Sequence, residues 1–193
     1  MKDIILAEAR AAHVRELKAE LAESKRRLAD VEAERDTLLA HFSLGLAALA
    51  DFAEMGPDAT LRIIDGWNAI LRMRSVSKLT SDEISGLKAE YLAARGIPPH
   101  QTDGEVEKPE ERPPLQRLET WIVFDGAVAN SYRHGPYRIT YTGGIGAHRA
   151  DRMVTDYIRA AKVLGLDVSR ITVETADKSF SGAVAALGAK AEI

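Results

Sequence analysis

Hydrophobic residues recur at heptad spacing along the first forty positions, which hold neither Gly nor Pro and are rich in Ala, Glu, Leu, Lys and Arg. That composition and that period predict one long helix. With Val14, Leu21, Leu28, Arg35 and Phe42 at position a and Leu17, Ser24, Val31 and Leu38 at d, seven of nine seam positions are apolar. A coiled-coil seam interrupted at Ser24 and Arg35 fits the pattern. Glu20 with Lys25 and Arg27 with Glu32 carry opposite signs in the g-to-e′ relation of a parallel pair. The expectation is a homodimer or higher homo-oligomer formed through residues 1–42. The competing reading is a single amphipathic helix lying on its own domain, with the charges as its solvated face. From Ser43 to Met55 the pattern turns smaller and more apolar, and Gly56-Pro57 stops it. That piece either docks against the domain that follows or extends the seam.

Beyond residue 57 the period changes. Short β-rich runs stand at Leu61–Asp65, Trp121–Asp125, Tyr137–Thr142, Ile171–Glu174 and Ala189–Ile193. Helical patterns alternate with them at Ser81–Arg95, His148–Leu164 and Lys178–Leu187. Thr80 with Glu83 forms a capping box for the first of these, and Gly96 with two prolines ends it. Residues 97–116, rich in Pro and Glu and poor in apolar residues, read as a mobile surface loop. Strands alternating with helices predict an α/β fold: a Rossmann-like three-layer α/β/α sandwich around a mostly parallel sheet. The chain thus divides into a helical oligomerisation segment, residues 1–56, and a domain, residues 57–193.

Composition narrows the chemistry. A net charge of −3 over 193 residues excludes a uniformly basic nucleic-acid coat, and the lack of cysteine excludes disulfides, thiolate metal sites and cysteine nucleophiles. No apolar run approaches transmembrane length, and Met1-Lys2-Asp3 leads into charged helix, so a cytoplasmic chain away from membranes is expected.

The candidate chemistry is acidic. Asp65, Asp125 and Asp177 follow β-rich runs, and Asp151 and Asp156 belong to the helical stretch after them. In an open parallel sheet the strand ends on one edge face a common crevice, where ligands bind. Carboxylates gathered there repel one another unless a cation neutralises them, so the arrangement points to bound metal. Asn68 follows Asp65-Gly66-Trp67 and can hydrogen-bond Asp65, while Trp67 either stacks on a base or covers the sheet edge. Asp151 and Asp156 lie roughly 140° apart around a helix and cannot point the same way. Asp156 therefore either reaches the crevice edge or pairs with Arg152 or Arg159. Thr175 places a hydroxyl beside Asp177. Arg133, His134, Arg138, His148, Arg149 and Arg152 form a basic cluster able to neutralise a phosphodiester backbone. The Gly143-Gly144-Ile145-Gly146 loop lacks a following Lys-Ser/Thr and is no P-loop.

Taken in order, IIDGWNAI, WIVFDG, YRITYT, ADRMVTDYI, ITVETADKSF and LGAKAEI resemble an NYN domain of the PIN-like nuclease superfamily over about Leu61 to Ile193. The resemblance implies an endoribonuclease that binds Mg²⁺ or Mn²⁺ and hydrolyses RNA. It places the catalytic acids at Asp65, Asp151 and Asp177, with Asp125 and Asp156 as further metal ligands. Trp67, Asn68, Thr175, Arg133, Arg149 and Arg152 would meet the substrate. Departures accompany it, among them a long Pro/Glu-rich insert, and Glu174-Thr175-Ala176 where Val-Thr-Ser is more usual. The alternative is a catalytically silent RNA- or protein-binding module assembled by its coiled coil.

Overall fold

The computed structural model describes residues 2–73, 81–98, 116–144 and 148–193. Two units emerge, Met1–Ser43 and Leu44–Ile193. The division falls before Gly56-Pro57 because the end of the first helix, α1 (Lys2–Met55), belongs to the second unit. Ala48, Phe52 and Met55 of that end are buried in a core with sheet residues Leu61, Trp121 and Ile171. Asp51, between them, accepts hydrogen bonds from Arg138 and the Tyr157 hydroxyl. Of the two fates open to Ser43–Met55, docking is the one observed. A stretch of α1 between His13 and Met55 also has the length and mean hydropathy of a membrane span, which the sequence reading did not anticipate. Its Leu44–Met55 end is nevertheless built into the core around a buried ion pair.

Six strands form one sheet in the order β3-β4-β2-β1-β5-β6. They are β1 (Leu61–Asp65), β2 (Thr120–Phe124), β3 (Ala129–His134), β4 (Tyr137–Thr142), β5 (Ile171–Glu174) and β6 (Lys190–Glu192). All neighbours run parallel except β3, which is antiparallel to β4. The sheet is therefore mixed. Gly126–Pro136 was expected only as a connection, yet its second half is the outer strand of a hairpin that turns at Gly135, where φ is 54°. ANSYRH has no apolar alternation to announce a strand; pairing with β4 makes it one.

Side chains of successive strand residues point to opposite faces, so each parallel strand feeds two cores. Ile63, Trp121, Val123 and Val173 pack against the end of α1, α4 (Arg149–Val163) and α5 (Lys178–Leu187). Ile64, Ile122, Phe124 and Ile139 pack against α2 (Gly66–Met73) and α3 (Ser81–Ala93). Helices cover both faces. The chain winds outward from β1 to β2 and β4, then returns to β5 on the other side of β1. Right-handed crossovers in opposite directions place their helices on opposite faces, as observed. Thr80, the bulk of the Pro/Glu-rich segment (99–115) and Gly146 lie outside the described residues.

Candidate metal centre

The winding reverses at β1, where a crevice opens between the carboxyl ends of β1 and β5. Asp65 ends β1 and Thr175 follows β5, and both are buried. The Thr175 hydroxyl donates to Asp65 Oδ2 at 3.3 Å and accepts from Asn68 Nδ2 and the Asp177 backbone N–H, each at 3.1 Å. Asn68 also donates to Asp65 through its backbone N–H at 3.2 Å and through its side-chain amide. One threonine therefore ties the acid of the first strand to the acid of the fifth loop. Gly66 is needed here for space: a Cβ would run into the Phe124 ring. It starts α2 without the left-handed turn that a Gly after Asp suggests.

Three carboxylates sit at three helix starts. Asp65 accepts from the third residue of α2. Asp177 caps α5 by accepting from the N–H groups of Ser179 at 2.7 Å and Phe180 at 3.0 Å. Asp125, after β2, accepts from the Ala150 N–H at the start of α4 at 2.7 Å and from the Thr142 hydroxyl at 3.5 Å. Unsatisfied N–H groups at helix N-termini favour negative charge, so the same feature that ends each strand also orients its acid. Both bonds to Asp177 go to Oδ1, which leaves Oδ2 without a hydrogen bond among the described residues.

Asp151, in the first turn of α4, joins this set. Its Oδ2 lies 3.0 Å from His148 Nδ1. Donor atoms of His148, Asp151 and Asp177 all lie within 4.8 Å of one another. Burial raises the Asp151 pKa above the usual carboxylate range; His148 opposes the rise, and the negative charges of Asp177 and Asp125 add to it. Asp65 is raised as well, chiefly by burial, with Asn68 opposing and Asp151 adding repulsion. The acids of β1, β2, α4 and the β5–α5 loop thus feel one another electrostatically. Two carboxylates and an imidazole this close together could hold a divalent cation.

An open groove of about 560 Å³ runs between α4 and the start of α5, bordered by His148, Asp151, Arg152, Asp156 and Asp177. Asp151 and Asp156 reach it from different turns, so the angle between them does not separate them. Asp156 is ion-paired with Arg159 at the groove edge. Glu174 is engaged elsewhere, by Arg62.

The basic cluster divides in two. Arg133 lies opposite Arg138 in the hairpin, at the amino edge of the parallel strands and away from the acids. Its guanidinium holds Glu54 at 2.7 Å and the Gln116 carbonyl at 2.9 Å. Arg138 holds Asp51. The structure does not bring Arg133, His134 or Arg138 to the carboxylate edge, since β3 and β4 carry them at the other end of the sheet. His148, Arg149 and Arg152 are at the correct end. Arg149 packs on Gly144, and neither Arg149 nor Arg152 makes an ion pair among the described residues.

Lys88 was not singled out from the sequence. From α3 it reaches across the sheet end, donates to the Asp125 carbonyl at 2.7 Å and sits 5.4–5.8 Å from the rings of Trp67, Phe124 and Tyr141. Burial lowers its pKa, and Asp125 opposes that shift. The sequence did carry a signal: Lys88 interrupts the apolar stripe Ile84, Leu87 and Tyr91 of α3. Trp67 is partly buried over the same core as these rings. No known protein family, curated protein or solved structure matches this chain.

Proposed function

We propose that the chain is a metal-dependent endoribonuclease with a PIN-like domain, hydrolysing RNA phosphodiester bonds. The observation that carries the reading is the meeting of His148, Asp151 and Asp177 donors within 4.8 Å, with buried Asp65 tied to Asp177 through Thr175. The parallel strands in the order β4-β2-β1-β5-β6, with the acids at their switch point, support it further.

His148, Asp151 and Asp177 would hold Mg²⁺ or Mn²⁺, with Asp65 as the third acid of the site. An ion there would supply an activated water and offset charge developing on the phosphate. Asn68 and Thr175 keep Asp65 in one orientation by hydrogen bonding both of its oxygens. Asp125 sets the start of α4, and so the position of Asp151, by accepting from Ala150. Arg149 and Arg152 are the uncommitted cations that would meet backbone phosphates. Lys88 holds the Asp125 loop from the other face.

The test is cleavage of single-stranded RNA with Mg²⁺ or Mn²⁺, with and without chelator, by the wild type and by Asp65→Asn, Asp151→Asn and Asp177→Asn. The reading requires chelator-sensitive cutting that each substitution reduces by at least about 10–100-fold, the loss that removing even a residue orienting a metal ligand brings. Cleavage that persists in all three variants would reject it. A second reading, a silent binding module, is favoured by one observation: Asp125 and Asp177 already serve as acceptors for helix N-termini. Metal-independent RNA binding without cleavage would select it.

A further inference from the structure

The N-terminal unit leaves its seam bare. Val14, Leu17, Leu21, Leu28, Val31, Leu38 and Phe42 are all exposed, from 48% at Val14 to 69% at Leu38. These are the seven apolar a and d positions. An exposed stripe repeating every 3.5 residues matches the complementary stripe of another helix.

Charge decides the occupant and its direction. We propose that residues 14–42 pair in parallel and in register with a second copy of this chain. In that arrangement g faces e′: Glu20 meets Lys25 and Arg27 meets Glu32, each twice by symmetry. The antiparallel register that keeps the apolar layers facing (Val14 opposite Leu38, Leu21 opposite Val31) matches g with g′ and e with e′. It places Arg27 against Arg27, Lys25 against Lys25 and Glu20 against Glu34, and gains only Lys18 with Glu32. Like charges outnumber opposite ones there; in the parallel pair the flanking carboxylates all face cations or neutral residues.

The interruptions fit a two-stranded pair. Arg35 occupies an a position, and its guanidinium is neutralised by Asp36 of its own chain at 2.7–2.9 Å, at the surface. In a dimer an a-position side chain can bend out to water in this way, whereas more strands would enclose it, so a charged a residue specifies register and number. Ser24 at d faces Ser24 of the second copy only in the parallel, in-register pair.

Three measurements on the full chain decide the proposal. Sedimentation equilibrium should return twice the chain mass of 21.1 kDa. Leu21→Asp with Leu28→Asp should return the single mass; because both side chains are exposed in the isolated chain, thermal unfolding of the C-terminal unit should not move. Since the chain has no cysteine, Ser24→Cys introduces the only thiol, and oxidation should cross-link it to a covalent dimer. Glu20→Lys should raise the dissociation constant, and adding Lys25→Glu should restore it. A single mass for the wild type, with or without flotation on phospholipid vesicles, overturns the proposal. So does a trimer or tetramer, or a dimer that Ser24→Cys fails to cross-link.

Discussion

Replacing Asp51 by alanine tests how α1 is fastened to the sheet. Asp51 is 4% exposed; its Oδ1 accepts from Arg138 Nη1 at 2.8 Å, and its Oδ2 accepts from the Tyr157 hydroxyl at 2.7 Å and lies 2.7 Å from the same Arg138 nitrogen. Arg138 in turn lies 4.1 Å over the Trp121 ring, and its Nε and Nη2 have no hydrogen-bond partner among the described residues. Among the described residues Asp51 is therefore the acid in direct contact with a largely buried guanidinium, and Glu54 adds attraction from farther away. Burial raises the Asp51 pKa even against Arg138, so desolvation outweighs the attraction, and the pair itself adds little stability. Breaking it is a different matter, because a buried cation and a buried phenol then lose their acceptor. That costs about 3–5 kcal/mol. At roughly 2–4 °C per kcal/mol for a domain of this size, the thermal midpoint should fall by about 6–20 °C. Removing the whole group, with Asp51→Leu, Arg138→Met and Tyr157→Phe together, should cost much less, about 0–2 kcal/mol. Thermal and urea denaturation followed by circular dichroism measures both. If Asp51→Ala costs under about 1 kcal/mol, or if the triple variant is less stable than the single one, the argument about an orphaned charge is wrong.

Asp177 serves two roles that substitution separates: Asp177→Asn should keep the α5 cap and lose Mn²⁺ binding by calorimetry, while Asp177→Ala should also lose about 0.5–2 kcal/mol of stability. His148→Ala should weaken Mn²⁺ binding about 10-fold or more if the imidazole is a ligand, with the urea midpoint unchanged because His148 is exposed; unaltered binding would remove it from the set. Gly66→Ala should destabilise by about 1–3 kcal/mol in the same denaturation assay, since its new methyl group meets the Phe124 ring. For pH, Asp51, Asp65 and Asp151 all have raised folded pKa values, so the folded chain retains protons that the unfolded chain has released. Their contribution to stability should therefore decline as pH rises from about 4, the unfolded carboxylate value, through the raised folded values. Asp65→Asn should flatten that slope in metal-free urea titrations, and an unchanged slope would contradict the assignment. Glu54, lowered chiefly by its hydrogen bond with Arg133, works in the opposite sense and loses its contribution as pH falls.

Apart from β3, the strands were legible where a segment carried its own period, and so were the longer helices. Leu61–Asp65, Tyr137–Thr142, Ile171–Glu174 and Lys178–Leu187 appear at the expected bounds. The aspartates at the ends of strands were legible too, because an acid between a buried run and a helix start can be seen in one dimension. By itself, then, the sequence determined the long helix and its apolar heptad stripe, the α/β alternation and the residue types at the crevice. Which groups meet was decided by the tertiary structure. Arg133 and Arg149 look alike in a basic run, yet β3 and β4 carry one to the amino edge and α4 starts with the other at the carboxyl edge. Lys88 reaches Asp125 from a helix 37 residues away in sequence, and Asp51 finds Arg138 across 87. Local periodicity reports how a segment exposes its own side chains. Partners at long separation depend on strand order, register and the face each helix covers, and those are fixed only when the whole sheet closes its two cores.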